Sequence, residues 1–148
     1  MTTKKVDFMG RRRARALVLQ GLYQYHLTHN SVESIRLDLL DSPNYPRCDE
    51  EYFDALWQGV THDSQALLTE LAPYLDRNTD ALSPVEQAVL LLAAWELIHR
   101  LEIPHRVIIN EAIDLTKTYG GTDGHKFVNG VLDKLAAKVR GTNVDTKV

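Results

Sequence analysis

One stretch near the middle of the chain predicts a helix that is apolar on nearly every side. Ser83 and Glu86 have the spacing of a capping box, and Pro84 lies in the first turn, where a missing amide costs nothing. The run AVLLLAAW follows at positions 88–95 and leaves no polar face. Such a helix must be covered by other elements, so we expect it at the centre of the domain.

The rest of the chain shows helical periodicity as well. Apolar residues recur at intervals of three and four, and no segment sustains the two-residue alternation of a strand. We therefore predict an all-α fold of six or seven helices in a single domain over residues 1–148, with flexible tails at 1–9 and 141–148.

The helix boundaries follow from local start and stop signals. The first two predicted helices run from Arg11 to about Asn30 and from a Ser31 cap to about Leu40. The next two run from Asp49 to a break within 59–63 and from there to about Leu75. The last three begin at Ser83, at Pro104 with a left-handed stop at Gly120 or Gly121, and at an Asp123 cap before the polar tail.

Positive charge is concentrated at the start of the chain. The chain carries 17 Lys and Arg against 20 Asp and Glu, a net charge of −3. Residues 1–15 hold six of the cations and one anion, so this segment is +5 and the remainder is −8. Its arginines face the positive end of a helix dipole, which stability alone does not favour. They indicate a polyanion partner or a merely solvated basic end.

A helical projection of the first helix places Arg12 and Tyr23 opposite the apolar stripe. An exposed ring beside cations fits single-stranded nucleic acid, whose bases stack on rings while its phosphates bind guanidinium groups. Tyr23 equally fits a core edge or a protein contact. Leu19 and Leu27 project toward the polar side, which is compatible with homodimerisation there. The stripe consists of Ala14, Leu17, Val18, Gly21, Leu22 and Tyr25.

The segment DGHKFVNG is a second candidate for phosphate binding. If Asp123 caps the last helix, Lys126 and Phe127 lie in its first turn, where free amides and the positive dipole end attract phosphate. Phe127 could supply a stacking ring or be ordinary core.

Motifs for catalysis or cofactor binding are missing from the sequence. GGTDGHKF lacks the Lys-Ser/Thr pair and the preceding strand of a phosphate loop. Glu96 and His99 make one metal-type pair where a di-metal bundle needs two, and no histidines have zinc-ligand spacing. Cys48 precedes acidic residues that oppose thiolate formation. We predict no enzyme activity, metal or cofactor, and a cytoplasmic location without membrane insertion, since no targeting segment is visible.

Four segments resemble the NusB family of transcription antitermination factors, in an order and spacing that cover nearly the whole chain. The resemblance implies an all-helical, non-catalytic protein. It also implies binding to the boxA element of ribosomal RNA leaders together with NusE, a small-subunit ribosomal protein, and loading onto RNA polymerase. The segments are RRRARALVLQGLYQY, SPVEQAVLLLAAWEL, IPHRVIINEAIDLTKTYGG and HKFVNGVLDKLA.

The resemblance also implies which residues form each surface. Two positions depart from the family pattern: Gly124 stands where Ser is common, and His105 where Tyr is common. The implied RNA surface consists of Arg11, Arg12, Arg13, Arg15, Tyr74, Lys126 and Phe127. The implied NusE surface includes Tyr23, Asp80 and Glu86.

Two other function classes are compatible with a helical chain. The first is an adaptor that binds only protein, its basic end serving solubility. The second is an accessory domain of an RNA methyltransferase, which would need a cofactor-binding α/β domain that this chain has no residues left to build.

Overall fold

The computed structural model describes residues 7–76, 81–121 and 123–141. Within these ranges the chain forms six α-helices, two short 3-10 turns and no strand, which confirms the predicted all-α class. The helices are α1 (Phe8–Thr28), α2 (Val32–Leu40), α3 (Glu50–Leu71), α4 (Pro84–His99), α5 (His105–Tyr119) and α6 (Gly124–Arg140), and the 3-10 turns are Tyr45–Arg47 and Ala72–Tyr74.

The chain divides into two compact units, Met1–Gln58 and Gly59–Val148, and the boundary falls inside α3. The first unit contains α1, α2 and the first part of α3. The second contains the remainder of α3 and the helices α4 to α6. The expectation of a single domain over residues 1–148 stays a prediction.

The predicted tails are shorter than expected where the structure describes them. Residues 1–6 and 142–148 lie outside the described residues. Asp7, by contrast, caps α1, because its Oδ1 accepts a hydrogen bond from the Gly10 amide at 2.8 Å. The helix therefore begins at Phe8, before the arginine run. Gly141 ends α6 in the left-handed conformation.

The first unit packs α1 against α2 and places it against the Tyr52 and Trp57 rings of α3. Phe53 and Trp57 are one turn apart and stack with ring centroids 6.5 Å apart. A Cβ at Gly21 would lie only 2.6 Å from Cζ3 of Trp57 and 2.7 Å from Cδ1 of Leu39. Glycine is therefore needed for α1 to approach its neighbours this closely.

The face that α1 buries is wider than one apolar stripe. Leu19, predicted on the polar side, is buried together with Arg15, so the two form a second buried strip four residues apart. Tyr25, predicted in the stripe, is 45% exposed. It lies in the last turn, where its ring meets the His29 ring edge-on at 6.0 Å. The predicted homodimer contact through Leu19 is therefore wrong, while Leu27 is exposed.

Residues 50–71 were predicted as two helices and form one kinked helix, α3. Asp63 departs from helical geometry with φ −103° and ψ 15°, inside the predicted break. Its side chain accepts from Nδ1 of His62 at 2.9 Å. A short acidic side chain that bonds locally competes with helix geometry, which accounts for a kink at this position.

The second unit is organised around α4, as the sequence predicts. The capping box is present: Oγ of Ser83 accepts from the Glu86 amide, and Oε1 of Glu86 accepts from the Ser83 amide, both at 3.1 Å. Every residue from Ala88 to Leu97 is buried, and both α5 and α6 pack against α4. The central position of the apolar helix is confirmed.

The two predicted caps near residue 120 are wrong. Gly120 ends α5 in an extended conformation, with φ −100° and ψ −170°, and Gly121 has no positive φ. A Cβ at Gly120 would lie 2.7 Å from the Thr116 carbonyl oxygen, so close approach to the helix end explains that glycine. Asp123 precedes α6, but its side chain bonds none of the helix amides.

Gly59 brings α3 against α4 within the second unit. A Cβ at Gly59 would overlap Nε1 and Cε2 of the Trp95 indole and would lie 2.6 Å from its Cζ2. Trp95 is itself buried, so its ring has little room to move aside. Gly130 offers a contrast, because it is exposed within α6 and a Cβ there would meet nothing within 4 Å.

We expect Gly59→Ala to lower the free energy of unfolding by about 1–3 kcal/mol through overpacking. The matched change Gly130→Ala should raise it by about 0.5–1 kcal/mol, because alanine loses less backbone entropy than glycine in a helix. Urea unfolding followed by circular dichroism measures both. A Gly59→Ala protein as stable as the wild type would contradict the close packing.

Cys48 is a buried free thiol in the first unit. Burial, followed by the charges of Glu50 and Asp49, raises the pKa of Cys48 to about 11. This agrees with the sequence-based expectation of an unreactive thiol, although burial contributes more than charge.

Alkylation of Cys48 by iodoacetamide should therefore be slow at pH 8. The ordinary pKa of 9.0 is raised to about 11, so the folded protein should react about 100-fold more slowly than the urea-unfolded chain, because only the thiolate reacts. The rate should keep rising toward pH 11, as measured by mass spectrometry. A plateau near pH 9 would show that the thiol is not shielded.

Candidate nucleic-acid interface

The arginine run lies in the first turns of α1, whose start is held in place by two backbone interactions. Asp7 caps the helix, and the Asp49 amide donates to the Gly10 carbonyl at 3.0 Å. A Cβ at Gly10 would lie 2.6 Å from Cγ of Asp7 and 3.0 Å from the Asp49 nitrogen. These interactions fix the backbone of the turns that carry the arginines within the first unit.

The four predicted arginines differ in what they present to solvent. Arg12 is exposed. Arg13 is half-buried, and its Nη1 donates to the Arg47 carbonyl at 3.3 Å, across 34 positions of sequence. Arg11 is also half-buried, with its guanidinium carbon 4.3 Å from the centre of the Tyr52 ring. At that distance the ring attracts the cation.

Arg15 lies in the interior of the protein. Its side chain is 3% exposed, and its guanidinium carbon is 5.6 Å from the Tyr52 ring centre. This burial leaves Arg15 little surface for RNA, and its predicted direct RNA contact stays a prediction. The guanidinium groups of Arg15 and Arg11 thus both lie near the Tyr52 ring. This role of Tyr52 was not predicted, because the ring and the arginines are separated along the chain by a loop and a second helix.

Tyr74, Lys126 and Phe127 all belong to the second unit. Tyr74 ends the 3-10 turn Ala72–Tyr74, which packs against α6, the helix that carries the other two residues. Lys126 is exposed, and Phe127 and Tyr74 are half-buried. The structure thus brings the turn of Tyr74 beside the helix of Lys126 and Phe127.

The first turn of α6 has no side-chain cap. The Asp123 carbonyl accepts from the Lys126 amide at 3.2 Å, while the Asp123 carboxylate lies 3.7 Å from the Lys126 ammonium. Both side chains are exposed, so this ion pair is weak and screened by salt. The acidic group offsets part of the attraction of this turn for anions.

Arg140, which the sequence analysis did not single out, anchors the other end of α6. Its guanidinium donates to the carbonyls of Ile103 at 2.6 Å, Leu97 and Arg100 at 3.0 Å each, and Glu96 at 3.3 Å. These groups are carbonyls at the end of α4 and in the turn after it, where helical bonding runs out. Two of them also accept backbone amides, Glu96 from Arg100 at 2.9 Å and Arg100 from Ile103 at 3.0 Å. Burial lowers the pKa of Arg140. The arginine therefore fixes α6 to the central helix.

The residues predicted to bind NusE have different placements. Tyr23 is exposed on α1. Asp80 lies outside the described residues. Glu86 is 9% exposed, and its carboxylate completes the capping box of α4. Its assignment to the NusE surface stays a prediction.

The two departures from the family pattern lie at helix starts. A Cβ at Gly124 would lie 2.9 Å from Oε2 of Glu86 and 3.3 Å from Cγ2 of Thr116. Glycine thus lets α6 begin against the capped end of α4. His105 is the first residue of α5 and is half-buried.

The described residues offer neither a metal-ligand cluster nor a membrane-spanning helix. In these ranges no group of three or more His, Cys, Asp or Glu side chains is placed to hold a metal ion. No helix among them is both long enough and apolar enough to span a bilayer.

Comparisons with known proteins agree on one family. Transcription antitermination protein NusB of Cupriavidus pinatubonensis is 50% identical over 134 residues, which cover 90% of this chain and 80% of the relative. The protein of the same name from Paraburkholderia phymatum is 55% identical over 130 residues, or 88% of this chain and 90% of the relative.

Solved structures share the fold. T. maritima NusB superposes with a TM-score of 0.78 at 31% identity, over 93% of this chain and 94% of that one. A structure of antitermination factors NusB and NusE in complex with dsRNA has a TM-score of 0.76 at 22% identity, over 89% and 99% of the two chains. The NusB family model matches residues 12–137, so the chain belongs to the NusB family.

Proposed function

We propose that this chain is a non-enzymatic transcription antitermination factor that binds boxA-type RNA together with NusE. Family membership supports this function, because relatives at 50% and 55% identity are named transcription antitermination protein NusB. A solved structure of the same fold holds NusB, NusE and RNA. Binding to a nascent transcript on RNA polymerase would take place in the cytoplasm.

The observation that carries the proposal is the basic start of α1. Arg12 is exposed and Arg13 is half-buried, in a segment of charge +5 within a protein of charge −3. They lie at the positive end of the helix dipole, where cations lower stability. The negative charge of RNA phosphates would offset both the repulsion among the arginines and their unfavourable interaction with the helix dipole. Arg11, held over Tyr52, adds charge to the same face.

We propose a separate RNA contact in the second unit, at the first turn of α6. Lys126 supplies an exposed ammonium, and Phe127 and Tyr74 supply half-buried rings whose exposed edges could meet bases. Arg15 is proposed to contribute through its contact with the Tyr52 ring, which Arg11 shares. In this proposal, the positive side chains attract the RNA strand and the aromatic rings stack on its bases.

We propose that Tyr23, on α1 of the first unit, and Asp80 each contribute to NusE binding. Linked contacts raise overall affinity without a strong contribution from each. The heterodimer should therefore bind boxA RNA more tightly than the isolated chain. Self-association, if it occurs, is proposed to use exposed Leu27 on the same helix as Tyr23 and would compete with NusE.

Removing the proposed contacts should weaken RNA binding by predictable amounts. Arg12→Ala should lower affinity for boxA RNA about tenfold and reduce the slope of log affinity against log salt by about 0.7, the value for one phosphate on a single strand. Phe127→Ala should cost about tenfold through lost stacking. Fluorescence anisotropy, with and without NusE, measures both.

Arg106→Ala is the matched control, because Arg106 is an exposed arginine on α5 outside the proposed surface. It should leave both affinity and salt slope close to the wild-type values. Circular dichroism confirms that each variant folds. If Arg12→Ala behaves like Arg106→Ala, the basic start of α1 is not the RNA site. If the wild type does not bind RNA, the protein-only adaptor is the better account.

A further inference from the structure

Phe8 is a large apolar side chain in an unusual position. It is the first residue of α1 and is 67% exposed. Residues three and four apart on a helix are neighbours, so Arg11 and Arg12 lie on the side of α1 that Phe8 occupies. An exposed ring among guanidinium groups is unfavourable for folding but is the arrangement that binds unpaired nucleotides.

The support beneath Phe8 is rigid. Asp7 caps the turn that Phe8 begins, and the Gly10 carbonyl accepts from the Asp49 amide at 3.0 Å. These bonds fix the backbone at Phe8, so little of the stacking energy is spent on ordering the chain when a base binds.

Arg47 is a second exposed cation beside the arginine run. It ends the 3-10 turn Tyr45–Arg47, and its carbonyl accepts from Nη1 of Arg13 at 3.3 Å. Its guanidinium makes no hydrogen bond or ion pair within the described residues, and its side chain is exposed. Arg47 therefore extends the basic surface of α1 onto the turn next to it.

We propose that Phe8 and Arg47 extend the RNA surface of the first unit, with an unpaired base stacking on Phe8 and a backbone phosphate bound by Arg47. The inference rests on the proposed RNA binding and adds two residues outside the set that family resemblance assigns. Single-stranded RNA is the ligand because a base within a duplex cannot lie on a protein ring without leaving its stack. Acidic Glu50 and Glu51 begin α3 and would keep the strand on the arginine side.

The test uses the full chain and a boxA-type RNA carrying short uridine extensions at both ends. Phe8→Ala should weaken binding about tenfold, whereas Phe8→Trp should preserve it, because tryptophan also stacks. Arg47→Ala should reduce the salt slope by about 0.7. Ultraviolet crosslinking should attach the RNA to the tryptic peptide of residues 6–11, whose one aromatic residue is Phe8.

Matched controls separate this proposal from the function it rests on. Met9→Ala changes an exposed apolar neighbour and Arg106→Ala an exposed arginine on α5, and both should bind RNA as the wild type does. If the wild type does not bind RNA, the proposed function fails. If the wild type binds and Arg12→Ala weakens binding, but Phe8→Ala and Arg47→Ala match their controls, only the extension is wrong. Loss of NusE binding alone in Phe8→Ala would assign the ring to a protein contact and overturn the inference.

Discussion

The burial of α4 is the constraint on which the second unit depends. A helix with no polar face must be covered, and α5 and α6 pack against it. The ends of α4 are satisfied by charged groups: Glu86 bonds the first turn and Arg140 bonds the last carbonyls. Because Arg140 belongs to α6, the interaction that completes the central helix also orients the helix that carries Lys126 and Phe127. Core and candidate site are thus built by the same contacts.

The first unit resolves a different conflict, between charge and stability. Four arginines at the positive end of a helix are unfavourable, and the structure divides them into roles. Arg11 and Arg15 use the Tyr52 ring, and Arg13 reaches the Arg47 carbonyl. Arg12 is exposed at the surface, where its charge is accessible to a polyanion.

Local signals predicted the elements well because caps and periodicity act within a few residues. Ser31 and the Ser83–Glu86 capping box start helices as expected. The errors share one cause. Gly120 resembled a left-handed stop but is needed for close approach to Thr116, and Asp123 resembled a cap but its carboxylate lies nearest to Lys126. When a residue type can serve two structural roles, its role can be assigned correctly only from the residues that lie near it in space.

The sequence by itself determined the helical class, the central apolar helix, the basic start of α1 and, through resemblance, the family. Those properties depend on residues that are close together in the sequence, since a helix turn spans only three to four positions. Tertiary structure alone decided that Arg15 is buried, that Glu86 serves a capped helix end, that Arg140 bonds carbonyls about 40 positions away, and that Arg13 and Arg47 are neighbours. Such contacts depend on which helix faces pack together and exclude water. The spacing of residues along the chain does not specify that packing.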